Sequence, residues 1–212
     1  MNPNPIMPEK FKNKYRIASA RLQSWDYRSN GAYFITICTA GRKNYFGSVK
    51  NREMVLTPIG RVAHEFWMEI PSHFPFVVLD ALVVMPNHTH GIVIIDRGNQ
   101  RFRDIRGMGE IDRTVEIDRN RRDVACNVST ITINFTKTTS NPAKNQFMSH
   151  ISPKSGSIST IVRSFKSAVT RQAREIDGKF VWQERFHDHI IRDHEEFLRI
   201  QRYIINNPAS WE

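Results

Sequence analysis

Val83-Val84-Met85-Pro86-Asn87-His88-Thr89-His90-Gly91-Ile92-Val93-Ile94-Ile95 is the stretch on which the reading of this chain turns. Two apolar runs flank a Pro86-Asn87 break, which predicts two strands joined by a tight turn. Successive side chains of a strand alternate faces, so His88 and His90 point the same way, one pleat repeat apart. A same-face imidazole pair at the head of a strand can chelate one ion. It can equally be two solvent-facing histidines, and the pair alone leaves both readings open.

Upstream, Phe76-Val77-Val78-Leu79-Asp80-Ala81-Leu82-Val83-Val84 is nearly unbroken in its apolar character and is read as a central strand. Thr57-Pro58 opens a helix, with Thr57 as N-cap and Pro58 at the first helical position. Ile59, Val62, Ala63, Phe66 and Ile70 share a helical face, Pro71 is read as the stop, and Trp67 as a packing residue. Earlier still, Gly31 introduces Ala32-Tyr33-Phe34-Ile35-Thr36-Ile37-Cys38-Thr39, a strand by its aromatic and β-branched content. Strand, helix, strand, strand predicts an α+β sheet, with helices expected on one face.

Downstream, residues 97–156 break the pattern. They hold a near-repeat of Glu-Ile-Asp-Arg (110–113 and 116–119), the basic run Arg119-Asn120-Arg121-Arg122 and a Ser/Thr/Asn-rich tract. Only Ile131, Ile133 and Phe135 alternate, so this segment is expected to be a flexible insertion in one domain spanning 32–212. Residues 1–31 read as a basic arm. From Ser157 the stripe Ile158, Ile161, Val162, Phe165, Ala168, Val169 predicts a helix ended by Gly178, with Arg163, Lys166, Arg171 and Arg174 on other faces. An extended segment over 180–192 follows. Asp193-His194-Glu195-Glu196 has capping-box spacing, and the helix it opens carries Phe197, Ile200, Tyr203 and Ile204 before Asn206-Asn207-Pro208. Tyr203 and Asn207 share a helix face one turn apart. Taken alone, Tyr203 reads as packing and Asn207 as a cap, with Pro208 expected to push Asn207 out of helical geometry.

Composition narrows the class. The 212 residues carry 31 Lys plus Arg against 21 Asp plus Glu, a net charge of +10. That excess favours a polyanionic partner, most simply nucleic acid. Cys38 and Cys126 suggest neither a disulfide framework nor a cysteine zinc site. No run approaches the ~18 apolar residues of a membrane span, and the first residues lack a signal-peptide core. The expectation is a cytoplasmic protein without a membrane segment.

Pro86-Asn87-His88-Thr89-His90-Gly91 after an apolar strand resembles the histidine motif of the HUH single-tyrosine transposases. Trp182-Gln183, Arg185-Phe186, Asp188-His189, Ile191-Arg192 and Tyr203-Ile204-Ile205-Asn206-Asn207-Pro208 resemble their tyrosine-bearing tail. Within that group the chain is most similar to the REP-associated tyrosine transposases, over roughly 20–96 and 157–212. The resemblance implies a ferredoxin-like antiparallel sheet with helices packed on it and the histidines on a central strand. His88 and His90 would be metal ligands, Tyr203 the nucleophile, and Asn207 the side-chain oxygen completing the metal site, where some relatives carry Gln. Thr89 occupies a middle place that is bulky and apolar in many relatives. Asp188, His189 and Arg192 match the pattern without a firm catalytic role. Arg163, Lys166, Arg185 and Arg192 are the candidate DNA contacts.

The implied activity is nicking and rejoining of single-stranded DNA beside a palindromic hairpin, through a 5′-phosphotyrosine intermediate, in support of transposition. The implied cofactor is Mg²⁺ or Mn²⁺, Mn²⁺ being the readier partner for nitrogen ligands. The protein would act as a monomer or homodimer. Three alternatives differ in their residues. A histidine-triad hydrolase would want a third histidine where Ile92 stands. A metal nuclease without a covalent step would not need Tyr203. A noncatalytic hairpin DNA or RNA binder derived from a transposase would need neither the tyrosine nor the metal.

Overall fold

A computed structural model describes residues 21–22, 24–98 and 154–211. Most of the expected insertion, including Ile131, Ile133 and Phe135, and residues 1–20 of the arm lie outside the described residues.

Six strands and four α-helices order the described residues: β1 (Gly31–Cys38), β2 (Gly47–Lys50), β3 (Glu53–Leu56), α1 (Pro58–Met68), α2 (Ile70–His73), β4 (Val77–Met85), β5 (His88–Ile95), α3 (Ile158–Ile176), β6 (His187–Ile191) and α4 (His194–Asn206). The main sheet runs β4-β5-β1-β6 and every pairing is antiparallel. With α1 and α3 as crossovers this is the β-α-β-β-α-β ferredoxin-like arrangement. β2 and β3 form a separate hairpin between β1 and α1. The histidine strand β5 is central, as the resemblance implied.

Helices cover both faces of the sheet, not one. On the first face Tyr33, Ile35, Ile37, Val84, Val93 and Ile95 pack against Val62, Ala63, Trp67, Ile161, Phe165 and Val169 of α1 and α3. On the second, Ala32, Ile92, Ile94 and Ile191 meet Phe197 and Ile204 of α4. This double cover explains a second correction: β4 is an edge strand, not a central one. Its run is apolar because helices lie on both sides, which a sequence pattern cannot tell from a central position.

A bulge in β4 keeps that pattern in phase. Leu79 pairs with Val93 and Leu82 with Gly91, so Asp80 and Ala81 together oppose Ile92. The extra residue lets Leu79 and Leu82 share the first face and turns Ala81 and Val83 to the second. Asp80 Oδ1 accepts from its neighbour Ala81 N–H at 2.8 Å and from Gln201 Nε2 of α4 at 2.8 Å. The bulge is thereby an attachment point for the last helix.

Both helix starts follow the sequence. Thr57 Oγ1 accepts from Gly60 N–H, and Asp193 Oδ1 accepts from Glu196 N–H at 2.8 Å. Pro71 does not stop α1, which ends at Met68. It sits in the first turn of the short α2, where a missing N–H costs nothing. Behind β6, Asp188 lies on the first face, opposite Ile35, with its side chain 3% exposed and bonded to Arg21 Nε at 2.8 Å. Arg21 also donates to Ser159 and lies 4.7 Å from the Phe186 ring. Asp188 thus closes the core behind the sheet, away from the histidines.

Candidate active site

The second face of the sheet carries the candidate site residues. Thr36 pairs with His90 and Cys38 with His88 across β1–β5, and Thr36 pairs with His187 across β1–β6. Both strand-head histidines are 6% exposed, so the solvent-facing reading does not hold. Gly91, one residue on, points to the first face, where an added Cβ would lie 2.3 Å from Trp67 Cζ2. The glycine lets the indole press against the strand that carries the histidines.

The two imidazoles converge. His88 Nε2 and His90 Nε2 are 3.0 Å apart. Each Nδ1 has its own partner: Asn87 Oδ1 at 2.8 Å for His88 and Thr36 Oγ1 at 2.8 Å for His90. Such outer bonds orient the rings and select the tautomer. Because Asn87 Oδ1 only accepts, His88 carries its proton on Nδ1 and turns the Nε2 lone pair toward His90. Phe34 stacks on His90 with centroids 5.3 Å apart, and the half-buried Trp211 lies against His88 at 5.7 Å.

Burial pushes the His88 pKa down to about 4, helped by the nearby Arg42 guanidinium. Burial, then His88, Arg42 and His187, push His90 down to about 3. Both rings are therefore neutral at physiological pH, the form that offers a lone pair to a metal. Two nitrogen ligands at bonds of about 2.1 Å and an angle of about 90° would sit ~3.0 Å apart. The donor set fits a divalent cation that accepts imidazole. Among the described residues no cluster of three His, Cys, Asp or Glu side chains surrounds it, so further ligands would be amide, water or substrate oxygens.

α4 brings Tyr203 to the pair. Phe197 and Ile204 anchor the helix on the sheet, Gln201 pins it to the β4 bulge, and His189 Nε2 of β6 bonds Glu196 Oε1 at 2.9 Å. Tyr203 projects from the free flank with its hydroxyl 3.4 Å from His90 Nε2, and stays 51% exposed. Asn207 is half-buried and lines a hollow with Arg199, Arg202, Tyr203, Asn206 and Ser210. Its backbone is helical, φ −58° and ψ −42°, and its N–H bonds Ile204 O. The expectation that Pro208 would force it out of helical geometry is wrong, because the helix closes on Asn207 as its C-cap. Among the described residues its side chain makes no hydrogen bond to the histidines.

The four basic candidates do not gather here. Arg163 and Lys166 belong to α3, on the opposite face of the sheet, and Lys166 Nζ donates to the Gln183 carbonyl at 2.6 Å. Arg185 is exposed ahead of β6, and Arg192 is exposed behind it with its N–H on Glu196 Oε2 at 2.9 Å. Sequence reasoning missed Thr36, Phe34, Arg42 and Trp211. Strand parity could have found Thr36 and Phe34 once β1 was paired with β5. Arg42 and Trp211 arrive through loops that carry no such period.

No family model matches the chain. Among solved structures it is similar to a REP-associated tyrosine transposase bound to a REP hairpin, with TM-score 0.43, 17% identity and coverage of 93% of this chain and 73% of that one. It is also similar to a candidate transposase of Deinococcus radiodurans, with TM-score 0.40, 12% identity and coverage of 91% and 97%. Both likenesses are distant, so the fold rests on its own strand order and register. Sequence kinship is closer: an uncharacterized protein of Haemophilus influenzae is 36% identical over 195 residues, 92% of this chain and 89% of its own length. At that identity and coverage, the chain belongs to the same family as the Haemophilus influenzae protein.

Proposed function

We propose that this protein nicks and rejoins single-stranded DNA through a covalent 5′-phosphotyrosine intermediate on Tyr203, in support of DNA transposition. The observation that carries the reading is the 3.4 Å approach of the Tyr203 hydroxyl to a pair of buried, neutral imidazoles 3.0 Å apart. A phenol brought by one element to a histidine pair held by another is what nucleophile and cation site require of each other.

His88 and His90, with the Asn207 side-chain oxygen, would hold Mg²⁺ or Mn²⁺, which would polarise phosphate oxygens and offset their growing charge. Asn87 and Thr36 hold the Nδ1 atoms of the imidazoles, which would leave both Nε2 atoms for such an ion. Tyr203, exposed beside them, reaches a phosphodiester from solvent without any opening of the core. Its oxygen forms a bond to phosphorus as the bond from phosphorus to the 3′-oxygen breaks. The phenol gives up one proton and the departing 3′-oxygen takes up one, leaving a 5′-phosphotyrosine and a free 3′-hydroxyl. A second 3′-hydroxyl reverses the exchange and rejoins a strand, so the strand energy is retained in the link. Hairpin-bearing single strands are the substrate, and the net charge of +10 suits a polyanion bound with steep salt dependence.

The test is a covalent adduct. The protein is incubated with Mn²⁺ and single-stranded oligonucleotides carrying palindromes from beside its own gene, then denatured. The expected result is a protein–DNA species lost in Tyr203→Phe and in His88→Ala. Cleavage surviving Tyr203→Phe would mean a metal nuclease without a covalent step, and hairpin binding without any adduct would mean a binding protein.

A further inference from the structure

The turn after β1 is bolted to the histidine strand. Thr39, fully buried, donates its N–H to the Asn87 carbonyl at 2.9 Å, and its Oγ1 lies 3.0 Å from the same carbonyl and 2.8 Å from the Lys43 carbonyl. Phe46 N–H bonds the Pro86 carbonyl at 3.0 Å. The amide of Asn87 faces two ways: Oδ1 accepts from His88 Nδ1 at 2.8 Å, and Nδ2 donates to the Arg42 carbonyl at 3.2 Å. One side chain therefore ties the orientation of His88 to the backbone of Arg42.

That backbone is unusual. Gly41 and Arg42 both take left-handed conformations, with φ of 61° and 55°. A glycine adopts this without cost, whereas an arginine does so at the expense of steric strain. The sharp turn leaves the Arg42 side chain exposed, and among the described residues its guanidinium makes no hydrogen bond or ion pair. By contrast, Lys166 is engaged by carbonyls and Arg28 by Asp26.

We propose that Arg42 grips a phosphate of the single-stranded substrate beside the His88–His90 pair, on a turn preset by Thr39 and Asn87. The inference rests on the single-strand nicking reading and names the anion-binding side chain of that same site. A planar guanidinium donates two parallel bonds to phosphate oxygens. The preset turn fixes where the guanidinium starts from, and its grip would fix the strand relative to the tyrosine. The four basic residues suggested by sequence lie off this edge, and Arg42 supplies the positive charge there that they do not.

The experiment separates binding from chemistry. Affinity of full-length protein for a fluorescent single-stranded oligonucleotide carrying its own palindrome is measured against salt in a Tyr203→Phe background. Arg42→Gly, which suits the left-handed backbone, removes the guanidinium; Arg42→Gln removes the charge but keeps the length; Arg42→Lys restores charge alone. Expected are binding weaker by at least about tenfold for the Gly and Gln variants and a salt slope shallower by about 0.7. Arg42→Lys should recover the slope and only part of the affinity. Unchanged slope and affinity in both Gly and Gln variants, with Tyr203-dependent adduct intact in Arg42→Gly, overturn the grip while sparing the nicking reading. If the protein with native Arg42 and Tyr203 neither binds nor forms adduct, the nicking reading fails and the grip falls with it. Should Arg42→Gly lower the melting temperature, the Arg42→Gln and Arg42→Lys pair decides the matter, since both keep a long side chain at that position.

Discussion

The two faces of the central sheet are built from neighbouring residues of the same strands, yet they answer to different physics. On the first, Gly91 makes room for Trp67, and Tyr33, Ile35, Ile37, Phe165 and Val169 fill the rest. Side-chain volume decides what is tolerated there. On the second, one residue away along β5, two imidazoles are buried at a desolvation cost large enough to keep them neutral. The Nδ1 atom of each has one partner, Asn87 Oδ1 or Thr36 Oγ1. The packed face holds the strand rigid, and the polar face uses that rigidity to keep two nitrogens 3.0 Å apart. A site of this kind needs a core behind it more than it needs a pocket in front.

If that division is right, the largest stability effect belongs to the packed face. Trp67→Ala removes an indole 1% exposed and should cost about 3–5 kcal/mol, read as a fall in the urea midpoint. A loss below about 1 kcal/mol would mean the indole is not the support it looks to be.

The polar face should instead respond to pH. With folded-state pKa values near 4 and 3 against an unfolded value of about 6.5, neither histidine takes up a proton in the folded chain until pH falls far below neutrality. Below about pH 6.5 the unfolded chain binds protons that the folded chain refuses, so stability falls with pH, by at most about 1.4 kcal/mol per unit for each histidine. The decline flattens once pH drops past the folded values. Urea unfolding between pH 7.5 and 5 in the presence of chelator should show this slope, and a double His88→Gln, His90→Gln variant should lose most of it. An equal slope in the double variant would place the titration elsewhere.

Three smaller effects sharpen the contrast. Thr89, between the histidines and 1% exposed, turns its Oγ1 to the packed face, where it has no hydrogen-bond partner among the described residues. Thr89→Val should raise stability by about 1 kcal/mol, because the hydroxyl is desolvated without return. Gln201→Ala cuts the bond to Asp80 that holds α4 on the bulge, and should lower stability by about 1 kcal/mol while lowering adduct yield more than stability alone explains. Smallest is Tyr203→Phe, within about 0.5 kcal/mol of the parent in unfolding because the side chain is half in solvent, though it should abolish the adduct altogether.

Much of this was legible in the residues. The strand parity of His88 and His90, the cap at Thr57, the stripe of α3 and the capping box at Asp193 are local patterns, and local patterns follow from backbone geometry alone. The β2–β3 hairpin was not legible, since Gly47–Lys50 and Glu53–Leu56 are too short and too exposed to show a period. Nor was the edge position of β4, because burial on two sides leaves one signature whatever lies beside the strand.

What the sequence determined by itself was which face of β5 the histidines share and which flank of the last helix carries Tyr203, because pleat and helical repeat are properties of the chain. Only the tertiary structure decided that the two meet. It did so by burying Phe197 and Ile204 on the sheet, by bonding Gln201 to a bulge, and by hanging Arg42 on the amide that orients His88. Gln201 to Asp80 and Asn87 to Arg42 each join residues more than forty positions apart, and no periodicity reaches that far. Their physical cause is the burial of apolar area, which brings distant elements together before any polar group can choose a partner.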